Sequence, residues 1–299
     1  MSNSYNQRQI KESIAAELCN PLPPSRSIFN GGMTAITFIL TGLALLPLLA
    51  ILLEILRQGL PNLKWDVFVA LPAAVGVTDV PNGFGNAIVG TVMMVGIASL
   101  ISIPIGLMTG IYLSEFGKAS AIANVVRFIT TILTGVPSII AGVFAYGVLI
   151  LNNITKFSAI AGGFALAVIM LPIVALTTEE ALKLIPTSQR LASAALGGSR
   201  FQTTFRVVVT AAIPAITTGV LLAIARAAGE TAPLLFTALF SQVWPDGLFN
   251  PTPALSVLIY NYATSPFKEQ NQMAWTAALV LVSMVLCVSI LSRLVTRRR

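Results

Sequence analysis

Arg226 and Glu230 stand four residues apart in an apolar stretch, Ile213–Phe240, which reads IPAITTGVLLAIARAAGETAPLLFTALF. A charge at mid-bilayer costs roughly 2.5–3.5 kcal/mol on insertion scales, so it faces a polar path or a partner rather than lipid. At helical spacing the two lie about 6 Å apart in rise on one face, close enough to neutralise each other in part. Either they form an intrahelical brace, or they mark a point that something polar passes. Arg ahead of Glu is the weaker order for a brace. Gly229 and Pro233 flank the pair, and Pro233 withholds the bond that the Gly229 carbonyl would accept. Thr231 adds a hydroxyl where that helix is weakened. Transit is therefore the favoured reading. Arginine is permanently cationic, and its planar fork of donors suits oxyanions such as phosphate, sulfate or carboxylate. A carboxylate beside it lowers its hold on an anion, which suits a point where binding must also permit release. High affinity would then reside elsewhere.

A second weakened stretch, LTGVPSIIAGVF, contains Pro137, which frees the carbonyl of Leu133, with Gly135 and Ser138 beside it. Together the two stretches suggest a polar seam between broken helices. Other chemistry lacks its parts. The chain has no histidine, no G-x-x-x-x-G-K-[ST] phosphate loop, no aspartate inside a span, and two widely separated cysteines, Cys19 and Cys287. A metalloenzyme, an intramembrane hydrolase and a disulfide are all unexpected.

The elements that hold these residues follow from composition. Of 299 residues, 56% are hydrophobic and 10% charged, against about 25% charged in soluble domains. A spanning helix needs about 20 mostly apolar residues. Six runs qualify: 33–56, 86–113, 125–151, 159–178, 213–240 and 273–294. The expected fold is an all-α membrane protein, with one permease domain over 33–296, a polar Pro-rich tail at 1–32 and a short end at 297–299. That tail does not read as a secretory signal.

Net charge is +7, and its distribution sets the expected topology. Arg57, Lys64, Lys156 and Lys268 fall on one side of the membrane; the other cations, Arg226 excepted, fall on the side of both termini. The positive-inside rule then puts both termini in the cytoplasm. Dispersed cations with RRR only at the extreme end suggest a lipid-headgroup anchor rather than nucleic-acid binding. The loop 57–85 carries one apolar block, Val67–Val77, too short to span, which reads equally as a strand or a partly buried helix.

The long connection 179–212 is more than a connector needs. Thr187 or Ser188 can cap a helix beginning near Gln189, Gly197 and Gly198 can turn it, and the amphipathic segment Phe201–Thr210 leads into the next span. Such a hairpin is either an interfacial element or a docking element for a cytoplasmic partner.

AIARAAGETAPLLFTALF at Ala223–Phe240 resembles the signature of the PstA-type membrane subunit of phosphate-specific ABC importers. GNAIVGTVMMVGIASLISIPIGLMTGIYLSEF at Gly85–Phe116, TGVPSIIAGVF at Thr134–Phe144 and ATSPFKEQNQMAW at Ala263–Trp275 are similar to the same family. The resemblance covers roughly residues 83–296. It implies the type I importer permease (MetI-like) fold, in which two permease subunits enclose a pathway. Such permeases carry a loop of pattern E-A-A, three residues, G, nine residues, I-x-L-P, which docks on the ATPase. Ala192, Gly197 and the run Val207–Val209 match its frame; Gly198 and Arg200 fall in the same loop. Leu191 replaces the Glu, Ser193 the second Ala, and Thr210 the Pro, so an ion pair to the ATPase through position 191 is not expected.

The family also implies an assembly in a bacterial inner membrane: a PstC-like second permease, two PstB-like ATPases and a PstS-like external phosphate-binding protein. ATP and Mg2+ would belong to the ATPase, leaving this chain without a catalytic residue or cofactor of its own. Arg226 and Glu230 would line or gate the phosphate path, with Thr231, Pro137 and Ser138 nearby. The alternatives are a permease for sulfate or molybdate, a stand-alone anion channel or carrier, and a structural or signalling subunit.

Overall fold

The computed structural model describes residues 24–77, 80–117 and 120–297, the last three of these by their backbone alone. Those residues are overwhelmingly helical. Among the described residues five helices are long and apolar enough to cross a bilayer, and a pair bent by 106° makes a sixth if it is counted as one span. The expected all-α class is thus the observed one, with five to six candidate spans and longer helices than the apolar runs alone suggested.

The chain divides into two compact units, Met1–Glu54 and Ile55–Arg299. Of the first, the described part belongs to α1 (Pro24–Gly59), whose residues 24–51 are exposed all round. A helix apolar on every side suits lipid or other spanning helices. Residues 24–32, expected in the tail, are already helical. The rest of that tail, with Cys19, Arg8 and Lys11, lies outside the described residues, as do Lys118, Arg298 and Arg299.

The second unit is built around α6 (Ala159–Lys183), 67% of whose most apolar stretch is buried, against 28% for Gly85–Phe116. Against it runs α3 (Gly85–Ile111), extended by a wide π turn through Phe116. The pair is parallel, with contacts that advance together along both helices: Gly162 meets Met94, Gly163 meets Ile97, Gly106 meets Val174 and Gly110 meets Thr178. A Cβ at Gly110 would lie 2.6 Å from the Ala175 carbonyl oxygen, so only glycine allows this approach. Close packing through small residues is what holds helices together where lipid removes the hydrophobic drive.

Between these two, the chain returns through α4 (Ala121–Gly135) and α5 (Ser138–Ala145, with a π turn to Leu151). Next come α7 (Thr187–Ala195) and α8 (Arg200–Gln202), the latter running through another π turn into α9 (Val209–Gly229). α10 (Ala232–Leu235), α11 (Leu255–Ala263) and α12 (Lys268–Arg297) complete the unit. α9 is antiparallel to α6, since Gly219 rests on Thr177 near one end while Arg226 nears Ile169 and Ile173 toward the other.

The segment before α3 is neither a strand nor a long helix. It makes one turn, α2 (Asp66–Val69), and then folds back, with Phe84 N–H on the Val67 carbonyl at 3.0 Å and Gly83 N–H on the Leu71 carbonyl at 3.1 Å. Its Val67 and Phe84 are buried with Leu255, Leu258, Tyr262 and Ala277, so it clips α3 to α11 and α12. Charges collect at the hairpin end of α6. There Glu179, 1% exposed, accepts from Arg127 Nη2 at 2.7 Å and Lys183 Nζ at 3.0 Å, fixing the foot of α4.

Candidate functional site

Two sequence expectations change at the breaks. The stretch 213–240 is not one helix, because α9 ends at Gly229 and Glu230 is extended at φ −73°, ψ 129°. Pro233 has no N–H for the Gly229 carbonyl and its ring would clash there, so the helix stops rather than merely weakening. Proline suits the first turn of a helix, and Pro233 accordingly sits in the first turn of α10. The hydroxyl of Ser256 donates to the Glu230 carbonyl at 2.8 Å, and that of Thr231 donates to the Ser256 carbonyl at 3.4 Å. These bonds satisfy part of the backbone that the break exposes.

Arg226 therefore lies in the last turn of α9, where the helix dipole favours a cation. Glu230 folds back from beyond the helix end, and its Oε1 accepts from Arg226 Nε at 3.3 Å. The side chains are 45% and 17% exposed, so the pair is open rather than sealed.

The run 125–151 is likewise not straight. It bends by 106° between α4 and α5. Gly135 ends α4, Val136 turns extended at ψ 128°, and Pro137 at ψ 135° leads into Ser138. A residue before proline is pushed out of the helical region, which is why the turn falls at Val136.

The two breaks touch. A Cβ on Gly142 of α5 would lie 2.5 Å from the Cα of Pro233 in α10. Beside this contact is a cavity of about 250 Å³, lined by Thr134 of α4, Val136 at the bend, Ile140 and Phe144 of α5, Ile169 of α6, and Arg226. Arg226 is the one charged residue on its wall. Glu230, Thr231, Gly135, Pro137 and Ser138 are not on that wall. Glu230 meets Arg226 itself, Thr231 turns toward Ser256, and Gly135 and Pro137 frame the bend. An apolar wall with a single cation gives an anion one place of favourable potential and nowhere to settle.

The hairpin forms as a helix, a glycine turn and a second helix. α7 begins at Thr187 with Pro186 in the cap position, two residues before the expected start, and neither Thr187 nor Ser188 caps it. Its end is a Schellman closure: Gly197 N–H bonds to the Ala194 carbonyl and Gly198 N–H to the Ser193 carbonyl, each at 3.0 Å. Gly197 sits at φ +78°. Ser199 and Gln202 then form a capping box that opens α8, a signal present in the sequence but overlooked. Ser193 and Thr203 hydroxyls pair across the hairpin at 2.8 Å. Leu191, Leu196 and Phe201 are exposed, Leu196 at 91%, beside a concavity lined by Ala192, Ser193, Gly198 and Arg206.

Nothing crowds a Cβ at Gly197, so a side chain there is opposed by backbone handedness alone. Gly197→Arg is expected to weaken the turn by about 1–2 kcal/mol. Faster hydrogen exchange at the Gly198 amide would register it, and unchanged exchange would show that the turn tolerates the side chain.

Arg200 is exposed, yet its guanidinium reaches back to the end of α3. It donates to the Glu115 carbonyl and lies 5.3 Å over the Phe116 ring. Glu115, Arg190, Ser256, Arg127 and Glu179 escaped the sequence reading as site residues. Only their charge or hydroxyl was visible there, not the distant segment each one meets.

Residues 102–299 match the family described as "Binding-protein-dependent transport system inner membrane component". The chain is 42% identical over 272 residues to the phosphate transport system permease protein PstA of Haemophilus influenzae, covering 90% of this chain and 94% of that protein. To PstA of Pasteurella multocida it is 36% identical over 269 residues, 90% of this chain and 95% of that one. Among solved structures, an inward-facing conformation of the MetNI methionine ABC transporter matches with a TM-score of 0.57. It shares 22% identity over 71% of this chain and 94% of that chain, and bears on the fold alone. With its spans broken at Gly229 and Val136 and its glycine-turned hairpin, this multi-pass inner-membrane chain belongs to the PstA family of phosphate transport permeases.

Proposed function

We propose that this chain forms half of the membrane pathway of an ABC importer for inorganic phosphate, and that phosphate passes Arg226. The observation that carries the site is the lone cation on an apolar cavity where two broken helices meet. A guanidinium offers phosphate paired charge-assisted bonds. Glu230, already accepting from Arg226 Nε, competes for the same donors and keeps the stay short. The other half of the pathway belongs to a PstC-like permease. Tight capture belongs to a PstS-like protein outside, and ATP with Mg2+ to two PstB-like subunits inside. The hairpin is their dock: exposed Leu191, Leu196 and Phe201 offer apolar surface beside the concavity at Ala192 and Ser193. The distribution of cations along the sequence supports a cytoplasmic location for both termini, by the positive-inside rule.

Co-reconstitution in liposomes tests this. The chain with all three partner types is expected to accumulate phosphate only when ATP and the external binding protein are both supplied. Phosphate flux through the lone chain, or accumulation without the ATPase, would replace the importer subunit with a self-sufficient channel or carrier.

A further inference from the structure

Phosphate binding near Arg226 makes no use of α3, yet α3 is fastened at both ends to the elements that such a site depends on. At the hairpin end Glu115, 7% exposed, accepts from Arg190 Nη2 at 2.7 Å through Oε1 and from Nε at 3.3 Å through Oε2. Arg190, on α7, also donates to the Leu182 carbonyl at 3.0 Å at the end of α6. Arg200, on the hairpin's other arm, donates to the Glu115 backbone and stacks on Phe116. One wide turn of α3 thus grips both arms of the hairpin. Wide turns of this kind recur at functional positions in helices.

At the opposite end Thr91, 5% exposed, accepts from the Leu255 N–H at 2.9 Å. Gly90 lets the Pro253 carbonyl rest on the helix, where any Cβ would collide. The residue after Leu255 is Ser256, whose hydroxyl holds the Glu230 carbonyl and whose carbonyl holds Thr231. Between the two ends α3 is laid on α6 through Gly106 and Gly110. That support steadies it past Pro104, which gives up one backbone bond.

We infer that α3 is a tie between the hairpin and the Glu230 break, with Glu115 and Thr91 as its positioning residues. A shift of the hairpin moves Glu115, and the helix carries it about 36 Å, at ~1.5 Å per residue, to Thr91. From there Leu255 and Ser256 pass it to Glu230 and so alter its grip on Arg226. This inference rests on the importer reading for its purpose, but not for its first test.

In the purified full-length chain, Glu115→Gln is expected to speed hydrogen exchange at the Leu255 amide at least threefold, although the substitution lies at the far end of α3. Wild-type exchange there would overturn the tie. In the reconstituted complex, Thr91→Val keeps shape but removes the acceptor. It is expected to leave basal ATP hydrolysis unchanged and to lower phosphate imported per ATP at least fivefold, with Thr91→Ser restoring it. A wild-type ratio in Thr91→Val would overturn the tie, as would failure of Thr91→Ser to recover. If the wild-type complex itself imports no phosphate, the importer reading fails, and the exchange result still decides whether α3 transmits.

Discussion

Arg226→Gln is expected to cut ATP-driven phosphate uptake by about tenfold to a hundredfold while the complex still assembles. Charge-assisted bonds contribute about 1.5–3 kcal/mol each, and 1.4 kcal/mol is tenfold in an equilibrium. Loss of the cation also leaves Glu230, 17% exposed, as an unopposed negative group beside the path. Arg226→Lys keeps the charge and loses the fork, so its uptake should fall between the two. Glu230→Gln acts in the opposite sense. It frees Arg226 to hold phosphate, so maximal uptake drops while phosphate is retained on the purified complex. The measurement is initial uptake into proteoliposomes, with binding of labelled phosphate to the detergent-solubilised complex. Unchanged uptake in Arg226→Gln would reduce the pair to a brace across the end of α9.

Gly142→Val is expected to abolish uptake and lower the thermal midpoint in detergent by several degrees. A Cβ there meets Pro233 at three backbone atoms, 2.5 Å from Cα, 2.9 Å from O and 3.2 Å from C. Backbone cannot swing aside as a side chain does, so α5 and α10 must separate. Overpacking of this kind costs about 1–3 kcal/mol. Its larger consequence is geometric, since α10 follows Glu230 and Thr231 directly. Gly147→Val is the matched control, in the same bent span with nothing within 4 Å of its Cβ. Equal uptake by the two variants would show that the breaks do not depend on this contact.

Particular residues show how far the sequence carried. Arg226 and Glu230 stood out because charge in an apolar run is a local expense, and four-residue spacing is enough to pair them. Pro137 and Pro233 marked the weak points because a missing N–H is a property of one residue. What each break became was not legible. Pro233 ended α9 outright, and Ser256, 26 residues from Glu230, was there to bond the Glu230 carbonyl just past the helix end. The 106° turn at Val136 likewise became tenable where Gly142 could seat α5 against Pro233. The hairpin's glycine turn was readable from Gly197 and Gly198, whereas its anchorage was not. Arg190 and Glu115 lie 75 residues apart, and nothing in either neighbourhood names the other.

From the sequence by itself came the membrane class, the apolar runs, the weak points and the Arg226–Glu230 pair. Each depends on hydropathy, helical periodicity or the chemistry of one side chain, all of which are local quantities. Tertiary structure alone decided that Arg226 opens on an apolar cavity, that the two breaks meet, and that α3 is bonded to the hairpin at one end and to Leu255 at the other. Those facts depend on which helix faces match, and matching is settled by close packing at Gly106, Gly110 and Gly142 across segments far apart in the chain.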